Sequence, residues 1–364
     1  MGYLSGLNAL RFFAAFFVIV SHGQISLWKL GVVEAPKAAF FNRGGDGVEF
    51  FFTLSGFLIT GLLIKEFEKT GTVSLRKFYL RRVLRIWPLY FFAVISGFVI
   101  LGFLYPRIFG QAYFEFGIAK GLLLFIFFLP NLATSFYPTG LLYPLWSIGV
   151  EEQYYLFWAP LIKKFRLNMP GVIIAFLIFS YTLYVVMHFN LLGFSRAWVK
   201  FFLSMKFYAM ATGGLFSYLF LSRNKLVYRY LLFKGILPSV LVVFVLWHYL
   251  VGFPFSEGFL FHLLVPFAYG VVILTTVMPN RVINLEINVL TYLGIISYGL
   301  YMYHMFIDYS LRIFFMKAGK NFLQTSLLGP FLYHILLFGA TVLIASLSYR
   351  YFESYFLKIK HKYA

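Results

Sequence analysis

Apolar runs long enough to cross a bilayer recur along almost the whole chain, and that recurrence leaves few folds open. A segment facing lipid must satisfy its backbone N–H and C=O groups internally, as an α-helix or within a closed barrel. The runs are continuous rather than alternating, and several approach the roughly 20 residues that a helix needs for a hydrocarbon core of about 30 Å. The expected fold class is therefore all-α, a polytopic membrane helix bundle. Composition agrees: 61% of the 364 residues are hydrophobic and only 12% are charged.

The predicted spans are Leu7–His22, Val48–Ile64, Val83–Phe103, Val172–His188, Phe201–Leu221, Ile236–Val251, Phe259–Met278, Val289–Ile307 and Leu327–Ser348. Two further segments, Ile118–Pro130 and Leu145–Pro160, lie between the third and fourth. The stretch holding Lys65, Lys69, Arg76, Lys77, Arg81, Arg82 and Arg85 is the densest cationic run, so it is placed in the cytoplasm together with the N-terminus. Lys163, Lys164 and Arg166 join it there only if the two extra segments make one net crossing. Ile118–Pro130 is too short to cross, so one member of the pair is expected to be re-entrant or broken. Irregular backbone at membrane depth survives only against protein or a water-filled cavity, which marks Leu129–Trp146, with Asn131, as a cavity wall. The count is about ten transmembrane helices plus one re-entrant or broken segment, with both termini cytoplasmic. Arg223, Lys225, Arg229, Lys234, Arg281 and the tail with Lys358, Lys360 and Lys362 fall inside on this count. Arg196, Lys200, Arg312, Lys317 and Lys320 fall outside. Residues 1–364 read as one integral membrane domain with no appended soluble domain. Arg11 interrupts the first run, so that run reads as a retained helix and not as a signal peptide.

The 31 Lys and Arg against 12 Asp and Glu give a formal charge of +19. In a membrane chain that excess marks cytoplasmic loops and anionic headgroups rather than nucleic acid. Cysteine is absent, which excludes disulfides, thiolate metal sites and a cysteinyl acyl-enzyme. No residue cluster has metal-ligand spacing, so no metal is expected.

Four stretches carry ionisable groups where lipid would exclude them. In LNALRFFAAFFVIVSHG, Arg11 and His22 are eleven residues apart. They share one helix face and are separated by about 16 Å of rise, comparable to an extended pantetheine arm. Such groups are functional candidates, although Arg11 snorkelling with His22 at the far interface is the plain alternative. In FYLRRVLRIWPLY, Arg81, Arg82 and Arg85 fall at i,i+3 and i,i+4 where membrane meets cytoplasm. They are suited either to forked recognition of phosphate or to setting topology. In LWSIGVEEQYYLFWAP, Glu151 and Glu152 sit in an apolar run, where a carboxylate needs a partner, and Trp146 and Ser147 precede them by about a turn. In ISYGLYMYHMFID, His304 and Asp308 at i,i+4 are placed to pair, or His304 is a satisfied packing residue. His188, His248, His262, His334 and His361 have no charged companion at helical spacing and read as structural.

Together these stretches resemble acyltransferase family 3, a family of integral membrane acyltransferases. LNALRFFAAFFVIVSHG resembles its arginine-x10-histidine first helix. GGDGVEFFFTLSGFLIT is similar to its second-helix motif, with Glu49 where aspartate is commoner. Arg82 and Arg85 match its R-x-x-R, and Trp146, Ser147 and Glu151 its W-S-x-x-x-E. ISYGLYMYH and YRYFES fit its last two helices, so the likeness runs from about Ser5 to Phe356. The resemblance implies a membrane-bound enzyme, in a bacterial cytoplasmic membrane, that moves an acyl group, usually acetyl, from cytoplasmic acyl-CoA to a hydroxyl of a cell-surface carbohydrate or lipid-linked saccharide. It implies that the arginines take the CoA. It also implies that His22, Arg11 and Glu151 serve catalysis, with Glu151 either orienting the imidazole or stabilising its charged form, and that Glu49, Trp146, Ser147 and His304 support the site. His22 would act as general base or carry the acyl group itself. A transporter or flippase of an anionic lipid-linked solute would also need buried charges and a broken helix. It would not need a histidine one pantetheine length from an arginine.

Overall fold

The computed structural model describes residues 4, 6–32, 39–110, 113, 117–222, 236–250, 258–277, 284–326 and 328–361. Among them are helices and no strands. The principal helices are α1 (Leu7–Lys29), α2 (Gly44–Thr70), α3 (Leu75–Val99), α4 (Ile118–Ile126), α5 (Pro130–Phe136), α6 (Leu145–Lys164), α7 (Met169–His188), α8 (Arg196–Ser204), α9 (Phe207–Leu221), α10 (Ile236–Leu250), α11 (Phe259–Val277), α12 (Asn288–Ile295), α13 (Ser297–Ala318) and α14 (Gly329–Ser348). Among the described residues, 6 helices are long and apolar enough to cross a membrane: Leu7–Lys29, Gly44–Thr70, Leu75–Phe109, Arg166–His188, Phe259–Val277 and Gly329–Lys360.

Helix ends differ from the apolar runs because hydropathy stops at the first charge and helix propensity does not. Lys, Arg and Glu are good helix formers. α3 begins at Leu75, with the Ser74 side chain accepting a hydrogen bond from the Lys77 N–H, so the arginine cluster is helical and not a loop. α1 continues to Lys29, which puts His22 in its interior instead of at its end. The runs Phe201–Leu221 and Val289–Ile307 are each broken into two helices, the first at Lys206 with φ +41°. Ile118–Pro130 is also broken: α4 stops at Ile126, Phe128 has φ +55°, and α5 starts at Pro130. Gln153 of α6 secures that break by donating to the Phe128 backbone carbonyl and to the Asn131 side-chain oxygen, at 2.8 Å each. The predicted basic residues at 223–234, 281 and 362 lie outside the described residues.

α1 and α2 form the centre. α2 is apolar on all sides and mostly buried, as a helix surrounded by helices must be. It meets α9 at backbone contact. A Cβ on Gly56 would lie 1.9 Å from the Met210 carbonyl oxygen, and one on Gly213 would lie 1.9 Å from that of Thr53. Small residues admit this approach, which supplies the dispersion contact that holds helices together where lipid offers no hydrophobic drive.

Candidate active site

A cavity of about 1030 Å³ opens among the start of α1, α2 along most of its length, the first half of α3, α6, the start of α13 and the C-terminal helix Ser354–His361. Arg11, Arg82, Arg85 and Lys360 all line it, so the first helix, the arginine cluster and the chain's last described helix meet at one end of the bundle. Arg81 lines it too, but is neutralised by Glu66 at 2.9 Å. Arg11 donates to the Asn8 side chain at 3.1 Å. Among the described residues, Arg82 and Arg85 form no ion pair, and the buried Nε of Arg82 has no hydrogen-bond partner. Partly buried cationic groups that form no ion pair make an anion site, because partly desolvated charge is costly until a counter-charge arrives.

Deeper in the cavity the lining changes from arginines to one carboxyl group and several hydroxyls. Glu151 accepts from Ser55 and Tyr155, each at 2.9 Å, and Ser147 Oγ shares a 2.7 Å hydrogen bond with the Tyr301 hydroxyl. The Tyr301 carbonyl then meets His304 Nδ1 at 2.6 Å, and His304 Nε2 meets His22 Nδ1 at 2.9 Å. The imidazoles are stacked, with ring centroids 5.0 Å apart. A carbonyl only accepts, so His304 Nδ1 carries the proton and, in the neutral ring, Nε2 is the acceptor. His22 Nδ1 must therefore donate, which leaves the lone pair on His22 Nε2 unused by the pair.

Several expected pairings are absent. Glu151 does not orient His22; its oxygens are taken by Ser55 and Tyr155, and the residue that orients His22 is His304. His304 and Asp308 do not pair, because Asp308 accepts from Ser26 and, at 2.9 Å, from Tyr333, fastening α1, α13 and α14 together. Glu49 lines neither cavity and lies in a closed cluster with Lys206, Tyr208 at 3.2 Å and His262 at 3.1 Å. His262 and His248 are thus not isolated: His248 bonds Asp46 at 2.8 Å. Their partners are more than 200 positions away, as with His248 and Asp46 at a separation of 202, so helical spacing carries no trace of them. The available signal was Asp46 and Glu49 themselves, acids just before and inside the apolar run Val48–Ile64.

Trp146 does not share the Ser147 cavity. It lines a second one of about 570 Å³, together with Thr134, Ser135 and Tyr143, so the Leu129–Trp146 stretch is a cavity wall as expected. The direction between the cavities is set by α1. Arg11 faces the first, and His22, about 16 Å further along the helix, lies edge-on to Tyr143 of the second, at 6.3 Å between ring centroids. Phe52 of the first cavity packs edge-on against Trp146 of the second.

The family described as Acyltransferase domain matches residues 4–350. The chain is 30% identical over 167 residues to the peptidoglycan O-acetyltransferase OatA of Listeria monocytogenes, covering 45% of this chain and 25% of that one. It is 26% identical over 378 residues to the O-acetyltransferase OatA of Staphylococcus aureus, covering 97% and 57% respectively. The chain therefore spans from a quarter to little more than half the length of these relatives. No solved structure matches it. A match over nearly the whole sequence, including the histidine pair and all of the two cavities' lining but Lys360, makes this chain a member of acyltransferase family 3.

Proposed function

We propose that the chain is a membrane O-acyltransferase that moves an acyl group, acetyl in the first instance, from acyl-CoA to a hydroxyl of a cell-envelope carbohydrate. The observation that carries this reading is the basic cavity, whose far end is Ser147–Tyr301 and thus one hydrogen-bonded step from the His304–His22 pair. Arg82 and Arg85, with Arg11, hold the phosphates of the donor, and the acyl arm extends along α1 toward His22. At His22 Nε2 the acceptor hydroxyl loses its proton as its oxygen attacks the thioester carbonyl. The C–S bond breaks, the ester forms, and the proton leaves on the CoA sulfur. The same lone pair suits a route in which His22 carries the acyl group first. Glu151 stays in the donor cavity, opposite the arginines, and positions Tyr155 and Ser55 there.

The reading includes one integral unit of about ten crossings in a bacterial cytoplasmic membrane. The 6 spans above are joined by α6, α9, α10 and α13, helices of 20, 15, 15 and 22 residues. Both ends are cytoplasmic on this reading, supported by the meeting of Arg11 and Lys360 with the arginine cluster at one cavity.

The test is ester transfer by the full chain in nanodiscs at saturating acetyl-CoA. His22→Ala and His22→Gln should each lose about 10²–10⁴-fold in turnover, the range for a general base, while acetyl-CoA affinity is kept. Near-parental turnover in either variant overturns the reading.

A further inference from the structure

The second cavity lies apart from the one assigned above to the donor, and it carries a definite chemistry. Its wall joins Thr134 of α5, Tyr143, Trp146 at the start of α6, Asn190 beyond α7, and Arg196 and Lys200 of α8. Arg196 and Lys200 are four residues apart on one helix, so their cationic heads share a face. Lys200 Nζ donates to the Thr134 carbonyl at 2.7 Å, which uses one of its three N–H groups and fixes the ammonium at the wall. Arg196 forms no ion pair among the described residues. No aspartate or glutamate lines the cavity.

Two features define the ligand. The Trp146 and Tyr143 rings offer apolar faces of the kind on which the C–H face of a pyranose rests, and the hydroxyls of Thr134 and Ser135 and the Asn190 amide offer polar contacts at its edge. A neutral glycan has many hydroxyl donors and is held best where carboxylates accept them, and this wall has none. Two cations without an acid instead fit a ligand that brings its own negative charge. Tyr143 belongs to this wall and also touches the His22 ring, so a saccharide seated here lies beside the imidazole.

We infer that this cavity takes the acceptor as an acidic saccharide, with its carboxylate or phosphate group between Arg196 and Lys200 and its sugar ring on Trp146 and Tyr143. The inference rests on the acyltransferase reading above and adds to it the charge class of the acceptor.

The test is isothermal titration of the full chain in phosphatidylcholine nanodiscs with two pairs of probes. One pair is a uronic acid–N-acetylhexosamine tetrasaccharide and its carboxyl-reduced twin; the other is a disaccharide phosphate and its dephosphorylated twin. At least one acidic probe should bind about tenfold or more tightly than its neutral twin, a preference that weakens as salt rises. Arg196→Gln and Lys200→Gln, both on an exposed face, should each shrink the preference, and the double variant should remove it. Acetyl-CoA affinity, measured on the same samples, should not move. Equal binding within both pairs, binding of no probe, or a preference indifferent to both substitutions overturns the inference. So does equal binding combined with altered retention of phosphatidylglycerol in a parallel set of mixed phosphatidylcholine–phosphatidylglycerol nanodiscs, which would make the pair a lipid headgroup contact. Retained acetyl-CoA binding in any of these cases leaves the acyltransferase reading standing. Loss of acetyl-CoA binding by the parent protein counts against that reading instead.

Discussion

His304 offers the sharpest test of the histidine pair, because its role depends on one hydrogen bond and not on contact with either substrate. Its Nε2 accepts from His22 Nδ1 at 2.9 Å, and its Nδ1 donates to the Tyr301 carbonyl at 2.6 Å. His304→Leu removes the acceptor and leaves a His22 N–H inside the bundle without its partner. Leaving such a donor unsatisfied costs about 1–3 kcal/mol. If the cost falls on the productive orientation of His22, turnover drops about 5- to 150-fold, at 1.36 kcal/mol per decade. The geometry also ranks the replacements. A glutamine amide reaches the Nε2 position and can accept from His22. An asparagine amide reaches only the Nδ1 position and keeps the Tyr301 bond alone. Turnover should therefore fall in the order parent, His304→Gln, His304→Asn, with His304→Leu lowest, and the KM for acetyl-CoA should hold throughout. The assay is steady-state ester transfer by reconstituted protein, with folding checked by thermal unfolding. Turnover of His304→Leu within twofold of the parent refutes the orienting role. Equal losses in the Gln and Leu variants reduce His304 to a packing residue.

Two further predictions follow from the same structure. Arg82→Ala and Arg85→Ala should each weaken acetyl-CoA binding about ten- to a hundredfold, from about 1.5–3 kcal/mol per charge-assisted contact, with a smaller effect at high salt; unchanged affinity in both would confine these arginines to setting topology. Gly56→Ala should lower the thermal midpoint strongly in a fluorescence melt, because its Cβ would fall 1.9 Å from the Met210 carbonyl oxygen and separate α2 from α9; a midpoint equal to the parent's would show that the two helices are not in backbone contact.

Class and location were legible in the sequence because hydropathy is a local property. A run such as Phe259–Met278 can only be a helix if it lies in lipid, and the described part of it is one. The broken segment at Ile118–Pro130 was legible too, since a run too short to cross has to stop. The arginines of α3 and the Arg11–His22 spacing were legible through the fixed rise of the helix. Breaks inside longer apolar runs were not, because at Lys206 and at Ile296 lipid compatibility says nothing about whether the backbone turns.

The sequence by itself determined that this is a helical membrane protein and which residues carry charge where lipid forbids it. Only the tertiary structure decided which of those residues meet. His22 finds His304, 282 positions away, Ser26 finds Asp308 at the same separation, and Glu49 finds Lys206 and His262. Glu151 faces the arginines and not the imidazole, and Trp146 and the adjacent Ser147 face different cavities. The physical reason is that helical periodicity fixes which residues share a face of one helix. Which face meets which partner is set by packing, here by the close approach of α1, α2 and α9, and packing leaves no mark at a spacing of three or four.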